Sequence, residues 1–296
     1  MYAEYRLRLP AGYDQSAFVD FHGRDRQSVA ERIASGRVGK GFVWRGRPAL
    51  MEWFFTAHQA RVRLALDGAG EIAPAKLKAE LKRLSRHALG LDQPVQTFNA
   101  AWCSHPKLGP LIARRPGLCI PQTLTPFEAI AWAIIGQQIS VTAATAIRRR
   151  LILACEVKHS SGLWCFPAPA HLLQADTEAL MAAGLSRGKW RALVALAQWF
   201  EAGQLPEVRT SESESLEALG ECLLALPGVG PWTVNYALLR GFGWLDASLH
   251  GDVAVRRNLA RLLGRDDISQ ADTERWLRAF TPWRALVAAH LWAMST

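Results

Sequence analysis

Between two helical stretches, Leu216–Leu224 and Trp232–Arg240, the chain passes through Leu226-Pro227-Gly228-Val229-Gly230-Pro231. Pro227 stops the first helix, because proline supplies no N–H and disfavours the helical region just before it. Gly228 and Gly230 carry no Cβ, so the backbone can turn tightly and come close to another molecule. The second helix offers its unpaired N–H groups and positive dipole end at the same point. A hairpin built this way can hold an anion such as a DNA phosphate without any charged side chain. Proline and glycine also join helices that bind nothing. Two glycines at this spacing, among small and apolar residues, favour the anion-binding reading.

Charge supports a backbone-based grip. The 296 residues hold 35 Lys+Arg and 26 Asp+Glu, a formal net charge of +9. All of that excess lies in residues 1–115, with 19 basic and 10 acidic side chains, whereas residues 116–296 have 16 of each. Glu207–Glu221 alone holds five acids and one base. Arginine outnumbers lysine 28 to 7 along the whole chain, which reads as compositional bias or as phosphate recognition. The chain is 50% apolar and 21% charged, which excludes disorder, collagen and coiled coil and suits about two domains. Apolar runs such as Ala129–Ile135 fall far short of the ~18–20 residues of a membrane span. Met1–Pro10 shows no apolar export signal. The five cysteines form no CxxC pair, so neither a disulfide framework nor a metal cluster is expected, and a reducing cytoplasm fits.

The expected fold class is α+β, a small N-terminal mixed sheet domain over residues 1–105 and a mainly helical region over 106–296. Tyr5, Leu7 and Leu9 alternate with arginines as in a strand, and Asp14 to Ala34 reads as helix. Gly41–Arg45 and Pro48–Phe55 read as strands around an Arg45-Gly46-Arg47 turn, and Val62, Leu64 and Leu66 as another strand. Helical periodicity takes over from Pro74, with a polar loop at Leu205–Ser215. Thr125-Pro126-Phe127-Glu128 has the form of a capping box that opens an apolar helix through Ile135. Gly136 interrupts it, and Gln137 and Gln138 at the break read either as a solvated corner or as a polar finger offered to a partner.

Asp252, twenty residues after Trp232, stands at another helix start in His250-Gly251-Asp252-Val253. It suits an N-cap. A carboxylate at a helix N-terminus is also favoured in its ionised form, able to stabilise a cationic sugar or orient a water. The two roles are compatible. Trp232 and Tyr236, at i and i+4, share a helix face that serves either core packing or a pocket.

These segments resemble the helix-hairpin-helix DNA glycosylase superfamily, and within it the bacterial DNA-3-methyladenine glycosylase II (AlkA-type) branch. The resemblance rests on Tyr13-Asp14, Arg115-Pro116-Gly117-Leu118, Pro126–Ser140, Pro227–Gly241, the Asp252 segment, and Pro282-Trp283-Arg284 through Trp292. It implies two helical subdomains, with the hairpin at 216–240, enclosing a cleft. It implies that Asp252 is catalytic, that Trp232, Tyr236 and Trp292 line a base pocket, and that Gly228, Val229, Gly230, Gln137 and Gln138 meet DNA. Gln138 falls at the family's wedge position, where some members have leucine. Backbone carbonyls near Leu224, Leu226 and Val229 match a monovalent cation site, and no other cofactor is implied. The implied partner is damaged double-stranded DNA, met by a monomer.

The residues fit that chemistry. A base inside a duplex must be flipped out before it can be excised. A cationic alkylated purine is drawn to indole and phenol faces, and its charge makes it a good leaving group. What remains is to stabilise an oxocarbenium-like sugar and admit water, a task for one carboxylate. Lyase-active superfamily members carry a lysine where this chain has Trp232, and no lysine follows Lys189. A glycosylase for uracil or a deaminated purine, and a non-catalytic helix-hairpin-helix DNA-binding protein, are the alternative readings.

Overall fold

The structure is a computed structural model that describes residues 1–68, 72–206 and 213–294. Residues 207–212, within the acidic segment and the expected Leu205–Ser215 loop, lie outside the described residues. No described helix is long and apolar enough to cross a membrane.

The chain opens with β1 (Tyr2–Arg8), α1 (Gln15–His22), β2 (Glu31–Ala34), β3 (Arg37–Trp44), β4 (Arg47–Phe55) and β5 (Gln59–Leu66). The strands form one sheet in the order β1-β5-β4-β3-β2, and every pairing is antiparallel. The parallel element is confined to an isolated bridge between Phe42 and Phe166. Arg45 and Gly46, both at positive φ, make the two-residue turn between β3 and β4. The alternating side chains Leu7, Val62, Leu64 and Leu66 are buried together against Leu77, Leu81 and Leu84 of α2 (Pro74–Leu89).

The expected helix from Asp14 to Ala34 is shorter than its sequence suggests. It stops at His22, and residues 31–34 become β2. Asp25 turns the intervening loop by accepting from the N–H groups of Gln27 and Val29, and Arg149 pairs with it. Glu31 is needed elsewhere, in a buried ionic group with Lys40, Glu128 and Arg148.

The helical region comprises α3 (Val95–Trp102), α4 (Gly109–Arg114), α5 (Pro126–Gly136), α6 (Val141–Ala154), α7 (Pro169–Gln174), α8 (Thr177–Ala182), α9 (Arg187–Glu201) and α10 (Ser213–Leu224). After the hairpin come α11 (Pro231–Ala237), a π-helical turn (Leu238–Phe242), α12 (Val253–Leu263), α13 (Gln270–Arg278) and α14 (Arg284–Trp292). Apolar side chains form two separate helical cores. One gathers α5, α6, α9 and α10, and the other gathers α3, α4, α12, α13 and α14. The α11 helix and the π-helical turn after it serve both: Val234 and Ala237 enter the first core, Tyr236 and Leu239 the second. The cleft opens where these cores meet.

Half of the capping box forms. Thr125 Oγ1 accepts from the Glu128 N–H at 3.2 Å. The Glu128 carboxylate turns away from the cap to accept from Lys40 Nζ at 2.6 Å and Arg148 Nη2 at 2.8 Å. Two buried cations compete better for a carboxylate than one amide does, since charge-assisted hydrogen bonds are about twice as strong.

Candidate active site

A cleft of about 1280 Å³ lies between the two cores, lined by hairpin residues, by α5 and α11, and by α1 with the loop after it. Asp252 is half-buried at its wall. The carboxylate caps α12, with Oδ1 accepting from the Val255 N–H at 2.9 Å. The same oxygen accepts from Trp292 Nε1 at 3.2 Å, and Oδ2 accepts from Trp232 Nε1 at 3.3 Å. The N-cap and the functional reading thus describe one geometry: the carboxylate is oriented by the helix and by two indoles.

The structure brings Trp232, Tyr236 and Trp292 together around that carboxylate. The Tyr236 ring centroid is 5.4 Å from that of Trp232 and 6.3 Å from that of Trp292. Four further residues of this wall were not singled out from sequence. Trp132 of α5 donates from Nε1 to the Tyr236 hydroxyl at 3.0 Å. Phe21 and Arg24 reach in from the N-terminal segment, and Arg240 enters from the π-helical turn. Arg240 extends the face of Trp232 and Tyr236 by another four residues, a spacing visible in the sequence. Phe21, Arg24 and Trp132 had no comparable signal. Burial alone would raise the Tyr236 hydroxyl's pKa, yet Arg240 and Arg24 beside it hold it below its ordinary value.

A clasp between two of the quoted motifs aims α1 at the cleft. Asp14 caps α1 through the N–H groups of Ser16 and Ala17, and its other oxygen accepts from Arg115 Nε at 2.5 Å. The Asp14 N–H donates to Gly117 O, and the Tyr13 hydroxyl donates to Leu89 O at 2.9 Å.

The two hairpin glycines differ in kind. Gly228 has φ +76°, and a Cβ there would stand 3.3 Å from Ala192 Cβ. Gly230 is extended, with nothing within 4 Å of its Cβ position. Val229 is buried in the first core. Gln137 Nε2 donates to Gly228 O and to Thr233 Oγ1, each at 2.8 Å, so it ties the end of α5 to the hairpin. Gln138 takes a left-handed conformation, φ 57°, and is exposed at the cleft edge. Lys189 Nζ donates to Ile135 O at 2.8 Å. His250 Nδ1 lies 2.8 Å from Ser248 Oγ, and no group of three or more potential metal ligands exists among the described residues.

Gly230→Val is expected to weaken binding to duplexes of every sequence by roughly tenfold, the loss of one or two hydrogen bonds to charged phosphate. Its Tm should change little, because the new side chain meets open space. Gly228→Val should lower Tm as well, since a β-branched residue at that φ is strained. Fluorescence anisotropy at several salt concentrations and a thermal melt check both. A loss confined to one sequence would contradict phosphate recognition.

A profile of HhH-GPD superfamily base excision DNA repair proteins matches residues 131–282. DNA-3-methyladenine glycosylase 2 of Escherichia coli (strain K12) is 32% identical over 290 residues, 97% of this chain and 96% of its own length. The solved 3-methyladenine DNA-glycosylase of Archaeoglobus fulgidus superposes with TM-score 0.78 at 23% identity, covering 97% of each chain. The Schizosaccharomyces pombe 3-methyladenine DNA glycosylase, solved in complex with abasic-DNA, gives TM-score 0.57 at 24% identity over 67% of this chain and 96% of its own. With the hairpin, the aspartate and the two-core architecture in place, the chain belongs to the HhH-GPD superfamily of base excision DNA repair proteins, on its DNA-3-methyladenine glycosylase 2 branch.

Proposed function

We propose that this protein is a monofunctional glycosylase that flips alkylated bases of the 3-methyladenine and 7-methylguanine type out of double-stranded DNA and hydrolyses their N-glycosidic bonds. The observation that carries this reading is the Asp252 carboxylate, held by a helix N-terminus and two indole N–H groups against an aromatic pocket. Water adds to the sugar C1′, and the bond's electron pair leaves with the purine. Asp252 stabilises the positive charge that builds on the sugar. The hairpin N–H groups hold the phosphates that position the lesion, and exposed Gln138 enters the space left by the flipped base. The named similarity to glycosylases for 3-methyladenine supports this substrate class, and the S. pombe complex with abasic-DNA supports an abasic product.

The lyase step has no local nucleophile in this reading. Trp232 occupies the start of α11, and Lys189 is spent on the Ile135 carbonyl. The Leu226 carbonyl accepts from the Val229 N–H at 3.2 Å and keeps a second lone pair. With those of Leu224 and Val229, it forms an uncharged oxygen set that would suit a monovalent cation, which would add positive charge beside the phosphates. The protein acts as a monomer in this reading.

Incubation with a duplex carrying 7-methylguanine should release free base and leave a strand that breaks only on later alkali treatment. Borohydride should trap no protein–DNA adduct. Strand scission without alkali, or a trapped adduct, would overturn the monofunctional assignment; an intact lesion would overturn the glycosylase reading.

A further inference from the structure

Much of the positive excess of residues 1–115 comes to one face of the N-terminal sheet. Lys40, Met51 and Leu64 stand side by side across β3, β4 and β5, on the face that carries α2 and meets Glu128. Strand residues alternate between faces, so the neighbours of these three look the other way. One row across that outer face is Glu4, Arg63, Glu52, Gly39 and Arg32. The next is Arg6, Arg61, Phe54 and Arg37, with Arg8 beyond it on β1. The Trp164 carbonyl covers the Gly41 end of the face, where a Cβ on Gly41 would meet it at 2.1 Å. The arginines lie toward the other end, and Arg6, Arg8, Arg32 and Arg37 are exposed.

This crowding of like charge works against the sheet. Arg6 and Arg61 are directly opposed on adjacent strands, which is destabilising. Three guanidinium groups surround the Phe54 ring, with Cζ of Arg61, Arg37 and Arg63 at 4.4, 5.1 and 5.9 Å from its centroid. The carboxylates of these rows are Glu4 and Glu52. Glu4 accepts from Arg61 at 3.4 Å and from Arg63 at 3.5 Å, and Glu52 pairs with Arg37. Arg6, Arg8 and Arg32 have no carboxylate within 4.0 Å among the described residues. Charge on the edge strands β1 and β2 guards against pairing with another sheet. That role does not reach Arg61 and Arg63 on β5 or Arg37 on β3, which are interior strands.

We propose that this outer sheet face is a second DNA-binding surface, which holds the phosphate backbone of a duplex segment other than the one in the cleft. The partner, duplex DNA, is taken from the glycosylase reading above, and the second site for it is new. The helices that form the cleft dock on the inner face, so the two segments are separate. Guanidinium groups match phosphate in charge and in the geometry of their donors. Stacking on Phe54 holds some of them in place before a partner arrives. That ring is taken up by arginines from both neighbouring strands, so it serves phosphate contact rather than the stacking of an unpaired base. Contacts of this kind carry no sequence information. They keep the protein on DNA while the cleft lets go of one site and engages another.

The test uses two short duplexes, one with an uncleavable abasic-site analogue and a donor dye, the other undamaged with an acceptor dye. With the abasic duplex in excess to fill the cleft, the wild-type protein should bring the dyes together, and energy transfer should fade as salt rises. Arg6→Gln, Arg8→Gln and Arg32→Gln, made together, remove exposed charges that hold no carboxylate. The combined variant should bind the undamaged duplex on the order of tenfold more weakly or worse, the scale of one or more lost hydrogen bonds to charged phosphate. The plot of log K against log salt should become shallower by ~0.9 for each arginine that met a phosphate. Single-turnover release of 7-methylguanine should hold. If the combined variant does not fold by circular dichroism, Arg8→Glu alone decides, with the same loss at smaller size. Binding of the abasic duplex without energy transfer, or equal transfer in variant and wild type, overturns the proposal alone. Capture of polyglutamate or of phosphatidylserine vesicles through the same arginines, with no second duplex, also overturns it and assigns the face to an acidic protein or a membrane. Binding of neither duplex overturns the DNA reading and the proposal with it.

Discussion

Asp252→Asn is expected to fold, to keep its affinity for DNA, and to release base at least ~100-fold more slowly, the scale of one lost transition-state electrostatic partner. The substitution isolates charge from shape. Asparagine is as good an N-cap as aspartate, and its carbonyl oxygen can still accept from the Val255 N–H, as Asp252 Oδ1 does at 2.9 Å. Its NH₂ group then takes the place of Oδ2 and faces the Trp232 indole N–H, which now donates to the carboxylate, while Trp292 can still donate to the carbonyl oxygen. One donor without an acceptor in a half-open cleft costs roughly 1 kcal/mol, too little to unfold a chain with two helical cores. The phosphate contacts assigned to the hairpin involve backbone N–H groups and are untouched. Free base released in single turnover, anisotropy with lesion-bearing duplex, and a thermal melt together make the measurement. Near-normal release from a folded, DNA-bound variant would remove Asp252 from the chemistry.

What the sequence shows of this site depends on how local each signal is. The hairpin was legible because proline and glycine act through their own backbone, and the φ of +76° at Gly228 is what glycine supplies. The α12 start was legible because an N-cap is defined within four residues. Strand alternation found the sheet, since Val62, Leu64 and Leu66 all turn to one buried face. Long-range pairing was not legible. Nothing near Glu128 announces that its partners are Lys40, 88 residues away, and Arg148. The local cap was therefore the natural reading of Glu128, and continuing the helix through Glu31 was natural for the same reason. Phe21, Arg24 and Trp132 join the pocket only because separate elements converge there. Arg240 was the exception, since 232, 236 and 240 share a helical face.

The largest stability effect belongs to the buried ionic group that docks the sheet on the helices. Lys40, Glu31, Glu128 and Arg148 are 1%, 5%, 3% and 7% exposed. Lys40 Nζ donates to Glu31 Oε1 at 2.7 Å, and Arg148 donates to both Glu31 oxygens at 2.6 and 3.0 Å. Two cations and two carboxylates balance, so the group is neutral as a whole. Lys40→Met is expected to cost ~3–5 kcal/mol, because it leaves a buried carboxylate short of a partner. For a chain of this size that is a Tm lower by on the order of 10 °C. Acid should act in the same direction. Burial would raise the Glu31 carboxyl's pKa, but Arg148 and Lys40 hold it well below the usual carboxylate range. A depressed carboxyl pKa adds stability above the unfolded value of about 4.3, and that stability is lost as pH falls through and below it. His22 is kept neutral by burial and by Lys40, so it favours unfolding once pH drops below about 6.5. Denaturant melts from pH 7 to pH 3 should therefore show wild-type stability falling in that interval. Lys40→Met should be less stable at pH 7 and should lose less than the wild type on acidification, since Glu31 keeps a smaller stabilisation to surrender. Because α5 runs from Glu128 to the glutamines at the hairpin, undocking should also disturb the cleft. Equal melts at pH 7 for the variant and the wild type would show that the group is not what holds the sheet to the helices.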